Sequence, residues 1–155
     1  MFEQHVAWAA DFAADDPSFK ARFNRQATAR HLDWLRANGA RAHYRAAMTA
    51  FFEHYDVLLM PVTSTPAFPH DQNLNMMERV IRVNGQSQPY FDNFFWINLA
   101  TLCYLPATVV PVGQAQNLPV GLQIAGPYLE DRTTIKFAAL IGPLIGEFKP
   151  PPLMN

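Results

Sequence analysis

The chain has 155 residues and 17.5 kDa, with 50% hydrophobic, 13% aromatic and 16% charged residues and a formal charge of −1. A chain of this length buries about two thirds of its unfolded surface, so it needs neither disulfides nor a structural metal, and its low charge and high aromatic content exclude disorder. The single cysteine, Cys103, removes the disulfide-scaffold class and agrees with a reducing compartment.

From the N-terminus, Met1 to Asp16 has no basic start and carries Glu3, Asp11, Asp15 and Asp16, so it does not read as a secretory signal, and the cytoplasm is the simplest address. Residues 1–17 read as an N-terminal extension, 18–149 as the domain and 150–155 as a proline-rich tail. Asp16-Pro17-Ser18 predicts a helix start, with Asn38-Gly39 as its stop. Along this stretch Lys20, Arg22, Arg25, Arg30, Arg36, Arg41 and Arg45 face one acid, Asp33. A nucleic-acid face is the sharp reading of that run. The solvated side of two helices is the better one, because near-neutral overall charge gives no long-range attraction to phosphate, and no nucleic-acid partner is expected.

A second helix is predicted from about Ala40 to His54, where Tyr44, Met48, Phe51, Phe52 and Tyr55 form one apolar stripe. Val57-Leu58-Leu59-Met60, stopped by Pro61, reads as a short strand buried on both faces. Pro61 to Gln88 reads as an irregular loop with a turn at Asn84-Gly85. From Tyr90 the pattern is helical: Phe91, Phe94, Phe95, Leu99 and Leu102 share a face while Trp96 and Cys103 cover much of the other, as in a helix buried all round. Ala107 to Val112 and Val120 to Ala125 read as an antiparallel pair joined by the five-residue connection Gly113 to Asn117. A last helix is predicted from about Arg132 to Ile141, opened by Glu130-Asp131 and stopped by Gly142-Pro143, ahead of a stiff Pro150-Pro151-Pro152 end. The expected class is α/β, a layered fold with a mixed sheet that includes the antiparallel hairpin at about 107–125, packed by helices.

No charge occurs between Asp92 and Glu130. Phe94 to Gly113 is long enough for a membrane span, but Asn98, Thr101, Pro106 and Pro111 break it, so this run reads as buried interior and no membrane is expected. His5, His31, His43, His54 and His70 show no paired ligand spacing, and one cysteine cannot complete a zinc set, so neither metal nor cofactor is expected. Cys103 lies in an apolar stripe and reads as core rather than nucleophile. His70-Asp71 could orient one another as a general base would, although adjacent polar loop residues are common. A phosphate loop and a Gly-x-Ser-x-Gly elbow are both lacking, and Ser18, Ser64, Ser87, Lys20, Lys136 and Lys149 form no credible nucleophile and base.

Tyr55-Asp56-Val57-Leu58-Leu59-Met60-Pro61-Val62-Thr63, then Leu105-Pro106-Ala107-Thr108-Val109-Val110-Pro111-Val112-Gly113, then Leu118-Pro119-Val120-Gly121-Leu122-Gln123-Ile124-Ala125-Gly126-Pro127-Tyr128 and the helix containing Ala138 resemble, in that order, the C-terminal portion of the amidase signature family. The resemblance implies hydrolysis of a carboxylic amide by a serine nucleophile, activated by a second serine held in a cis peptide and by a lysine. Those residues belong to a Gly- and Ser-rich signature and a lysine segment lying N-terminal to the portion matched, so no catalytic residue is assigned to this sequence. What the resemblance carries over is a wall of the acyl pocket: Thr63 and Ser64 after the Pro61 strand, and Asp92 and Trp96 at the opening of the next helix, as substrate-binding residues for a small-molecule amide. Read without the resemblance, Trp96 belongs to the core rather than to a pocket, and Asp92 is a cap of its helix. Tyr104 stands where many relatives have glycine, and Thr101 where many have asparagine.

The expectation is therefore a segment of an amidase, inactive alone, whose partner is the missing N-terminal portion. The alternative is a non-catalytic binding or assembly module derived from the same fold, self-associating or holding a partner through an exposed apolar face.

Overall fold

The computed structural model describes residues 2–72, 75–146 and 150. The predicted Pro150 to Pro152 end therefore lies, beyond Pro150, outside the described residues. Three helices lead the chain: α1 (Phe2–Ala10), α2 (Phe19–Ala27) and α3 (His31–Phe52). Helix α1 lies within what the sequence suggests is a plain extension. It packs on α2, where the buried Asn24 accepts from His5 Nδ1 at 2.8 Å through its amide oxygen and donates to the Lys20 carbonyl oxygen at 2.9 Å. Ser18 caps α2 as its position predicts, its hydroxyl accepting from Ala21 N–H. Phe19 then stacks on Phe91 at 4.1 Å between ring centres, tying this helical pair to the rest of the fold.

The predicted stop at Asn38-Gly39 is not used. The first helix ends instead at Thr28, and α3 runs straight through Gly39, which faces open space. A mid-helix glycine costs only about 1 kcal/mol against alanine, and the alanine-rich flanks of Gly39 carry the helix past it.

Strand β1 (Leu58–Pro61) pairs antiparallel with β5 (Leu118–Ala125), and β5 pairs antiparallel with β4 (Ala107–Ala115), giving the order β1-β5-β4. The α/β layering and the 107–125 hairpin agree with the sequence, but among the described residues both pairings are antiparallel, so the sheet is not the mixed one expected. The connection is shorter than predicted, because both strands extend to a two-residue turn at Gln116-Asn117, each with positive φ (54° and 63°). A bulge interrupts the β4 register between Pro111 and Gly113.

Helix α4 (Phe95–Cys103) lies on one face of this sheet, where the buried Gln123 side chain donates to the Trp96 carbonyl oxygen at 3.4 Å. Helix α5 (Asp131–Ile145) covers the other over β4 and β5, where the hydroxyls of Thr108 and Thr134 meet at 2.8 Å. Gly126 makes that packing possible: a Cβ there would stand 2.6 Å from the Thr134 methyl. The core is centred on Ile124, Ala125, Cys103, Ala100, Met60 and Ala138.

Three further expectations are corrected. Strand β1 is a sheet edge rather than a strand buried on both faces: α5 stops short of it, and Leu59, opposite Ile124 in register, is 47% exposed. The helix from Tyr90 begins as a 3-10 turn, Tyr90–Phe94, and is not buried all round, with Phe95 66% exposed. Gly142-Pro143 does not stop the last helix, which continues to Ile145. Glycine before proline has no Cβ to clash with the proline ring, so the helical conformation survives there although one N–H is lost.

Candidate functional site

Residues 61–88 are less irregular than their prolines suggest. Strands β2 (Val80–Val83) and β3 (Gln86–Pro89) form a hairpin around Asn84-Gly85, whose φ angles of 51° and 80° suit a type I′ turn, and a 3-10 turn, Met76–Glu78, precedes it. Only Gly85 adopts that conformation without steric cost. Ile81 anchors the hairpin, 2% exposed.

The hairpin completes a cleft of about 710 Å³ between the segment leaving β1 and the start of α4. Thr63, Ser64, Asp92 and Trp96, the four residues singled out from the sequence, all line it, together with Gln88 and Phe95. Each is brought there by a different local cause. Thr63 and Ser64 follow β1 directly, and the Thr63 hydroxyl donates to the Thr65 carbonyl oxygen at 2.7 Å, turning the chain along the rim. Asp92 sits in the 3-10 turn Tyr90–Phe94, so it does not cap α4, whose N-cap is Phe94 with no side-chain bond. Its carboxylate makes no ion pair among the described residues. Trp96 is half-buried at the first turn of α4, one ring contact from Phe95 at 5.3 Å, and is therefore both wall and packing element. Gln88 and Phe95 were missed by sequence reasoning, because a polar Gln-Ser-Gln run and a presumed buried aromatic carry no site signal. The flanked Asn-Gly turn was the clue that could have revealed the hairpin.

The cleft can bind a neutral polar group. The Ser64 hydroxyl and the Gln88 amide can donate, the Thr63 hydroxyl, its proton held by the Thr65 carbonyl oxygen, and the Asp92 carboxylate can accept, and the Phe95 and Trp96 side chains supply apolar surface. Among its lining residues Ser64 has no lysine or histidine beside it. His70 and Asp71 are both exposed and line none of the cleft. Cys103 is 1% exposed and its thiol is pushed above the usual range by burial, partly offset by the nearby charges of Arg45 and Arg41, so it is a core residue. Among the described residues no three His, Cys, Asp or Glu side chains come together as a metal set, and no helix is long and apolar enough to cross a membrane.

Arg41 and Arg45, at the end of the basic run, lie over the half-exposed rings of Tyr104 and Tyr128. Arg30 and Arg36 pair with Asp33 on the solvated surface, at 3.1 and 3.5 Å.

The family model described as Amidase matches residues 14–135. Among relatives, a glutamyl-tRNA(Gln) amidotransferase polypeptide of Salinispora tropica is 34% identical over 105 residues, covering 68% of this chain and 19% of that protein. Indoleacetamide hydrolase of Bradyrhizobium diazoefficiens is 34% identical over 109 residues, covering 69% and 20%. The chain thus spans about a fifth of the length of these relatives. Among solved structures, a crystal structure of an amidase superposes with a TM-score of 0.67 at 21% identity, covering 94% of this chain and 32% of that one. A chain from a vestigial complex bearing on the origins of an s-triazine catabolic enzyme gives 0.66 at 22%, covering 96% and 32%. At these identities the structural likeness speaks to fold, whereas the family match takes in β1, the cleft, α4 and the β4–β5 hairpin in one continuous stretch. The chain belongs to the amidase family.

Proposed function

We propose that this chain is the C-terminal segment of a carboxylic-amide hydrolase and forms one wall of its acyl pocket, without turning over amides by itself. The observation that carries the reading is the cleft: it offers donors, an acceptor and an apolar wall suited to a neutral amide, and no activated nucleophile. The Ser64 hydroxyl would donate toward the substrate carbonyl region, the Thr63 hydroxyl oxygen and the Asp92 carboxylate would accept from its N–H groups, and Trp96 would flank the acyl group. Serine, second serine and lysine would come from an N-terminal portion, in the same chain or another, in the manner the family resemblance implies. The substrate class is a small-molecule amide, and a cytoplasmic setting fits the unpaired Cys103.

Turnover decides the matter. The purified 155 residues, given simple amides such as phenylacetamide, should release no ammonia above buffer; serine-dependent hydrolysis by this polypeptide alone would sink the proposal. Supplying the N-terminal portion should create activity whose KM rises when Asp92 becomes asparagine.

A second reading is favoured by one observation. Leu59, Phe95, Leu140 and Leu144 are 47%, 66%, 64% and 83% exposed, more apolar surface than a self-sufficient domain usually shows, as in a non-catalytic assembly module. Sedimentation separates the two, since a module that self-associates would grow with concentration and the hydrolase segment would gain activity only with its missing part.

A further inference from the structure

We propose that the open edge of β1, with the adjoining end of α4, is the docking surface for the polypeptide that carries the rest of the amidase fold, which adds a strand beside β1 and sets an acidic side chain on Arg41. This deepens the hydrolase reading and rests on it. The solved amidase-like chains match almost all of this one, yet it accounts for only 32% of their length, so two thirds of such a fold must meet this third across some surface.

The sheet offers two edges, and they differ in kind. The outer edge of β4 carries Pro111 and a bulge at Pro111/Gly113, devices that discourage a further strand. The outer edge of β1 is Leu58-Leu59-Met60, with neither charge nor bulge before Pro61. Along it runs a cleft of about 800 Å³ lined by Leu58, Leu59, Met60, Leu99, Leu102 and Phe95. Unprotected backbone beside exposed leucine and phenylalanine is the arrangement that accepts an added strand with apolar side chains.

Charge selects the occupant further. Arg41 is the cleft's one charged lining residue, and among the described residues it bonds the Tyr104 hydroxyl and lies over that ring but makes no ion pair. A carboxylate on the incoming segment would meet an already ordered guanidinium.

The test co-expresses the full 155-residue chain with a tagged probe, the portion of the Bradyrhizobium diazoefficiens indoleacetamide hydrolase that precedes its matched stretch. The two should co-purify one to one, with slowed amide exchange at residues 58–60. Leu59→Lys and Phe95→Lys should each weaken capture about tenfold or more. Arg41→Gln should weaken it less, and Gln114→Lys, beyond the bulge on β4, should leave it unchanged. Positions 59 and 95 are exposed in the isolated chain, so its own melting should hardly move, which separates lost docking from lost folding. No capture of the wild-type chain, equal capture of Leu59→Lys, or equal loss with Gln114→Lys overturns the proposal. So does a homodimer of the isolated chain that Leu59→Lys dissociates. A captured complex that hydrolyses no amide leaves the docking surface standing and sinks the hydrolase reading instead.

Discussion

Tyr104 closes α4 in the left-handed conformation, with φ 58° and ψ 36°, and the Arg41 guanidinium lies 4.8 Å from the centre of its ring and donates to its hydroxyl. Arg45 lies over the same ring at 5.2 Å and over Tyr128 at 4.6 Å. A left-handed tyrosine is strained by about 1 kcal/mol relative to glycine, the residue the family resemblance leads one to expect here. The two cation–π contacts, each about 0.5–1 kcal/mol when partly exposed, offset that strain.

Substitution separates the two terms. Tyr104→Gly removes strain and contacts together, so stability should change little. Tyr104→Ala keeps the strain and loses the contacts, and should melt about 2–4 °C below Tyr104→Gly, the shift about 1 kcal/mol gives in a chain of this size. Equal melting temperatures would show that the helix end has another cause.

Gly126 and Thr134 set the spacing of β5 and α5. A Cβ at 126 would stand 2.6 Å from the Thr134 methyl, and Thr134 is 1% exposed, its hydroxyl donating to Asp131 O and accepting from Thr108, so it cannot swing away. Gly126→Ala should therefore cost about 1–3 kcal/mol by urea unfolding. Thr134→Ser removes the offending methyl and keeps the hydroxyl, so the double variant should recover much of the loss. Additive losses would place the clash elsewhere.

What could be read beforehand follows from how local each cause is. Ser18 as a cap, the 107–125 pairing and Cys103 as core each depend on a few neighbouring residues, and each is seen. The four cleft residues were found through family resemblance, since nothing in their spacing brings 63–64 to 92–96; the β2–β3 hairpin and the β1–β5 pairing do that. Helix ends failed at Gly39, where a cost of about 1 kcal/mol is easily outweighed by neighbouring turns, and at Gly142-Pro143, where the larger cost of proline, about 3 kcal/mol in a helix interior, is lessened because the preceding glycine has no Cβ to clash. The burial of β1 and α4 was overestimated for a different reason: apolar sequence was taken for burial, and among the described residues nothing covers Leu59 and Phe95.

The cleft separates binding from stability. Ser64→Ala, Thr63→Ala and Asp92→Asn alter residues at the rim that hold no core contact, and each should change the stability of the isolated chain by no more than about 0.5 kcal/mol. In an enzyme completed by an N-terminal portion, the same changes should raise KM more than they lower kcat, since the proposed role of these residues is to contact substrate and not to supply the nucleophile. A large loss of stability from Asp92→Asn would instead make that carboxylate structural.

Cys103 gives a pH dependence whose sign is fixed by its burial. Its thiol is raised above the ordinary 9.0 by desolvation, with Arg45 and Arg41 pulling the other way. Between the unfolded and folded values the folded chain holds the proton that the unfolded chain has released, so this group's stabilisation is complete below pH 9.0 and is lost as pH rises through the folded value. Urea midpoints measured across that range should fall less steeply for Cys103→Ala than for the parent chain. Arg45→Gln should do the reverse, since removing the cation raises the thiol further and widens the window. The same burial predicts that a thiol reagent labels Cys103 at the rate of opening rather than of collision, so labelling should become fast only as the chain unfolds; immediate modification of the native chain would contradict the packing of α4 against the sheet.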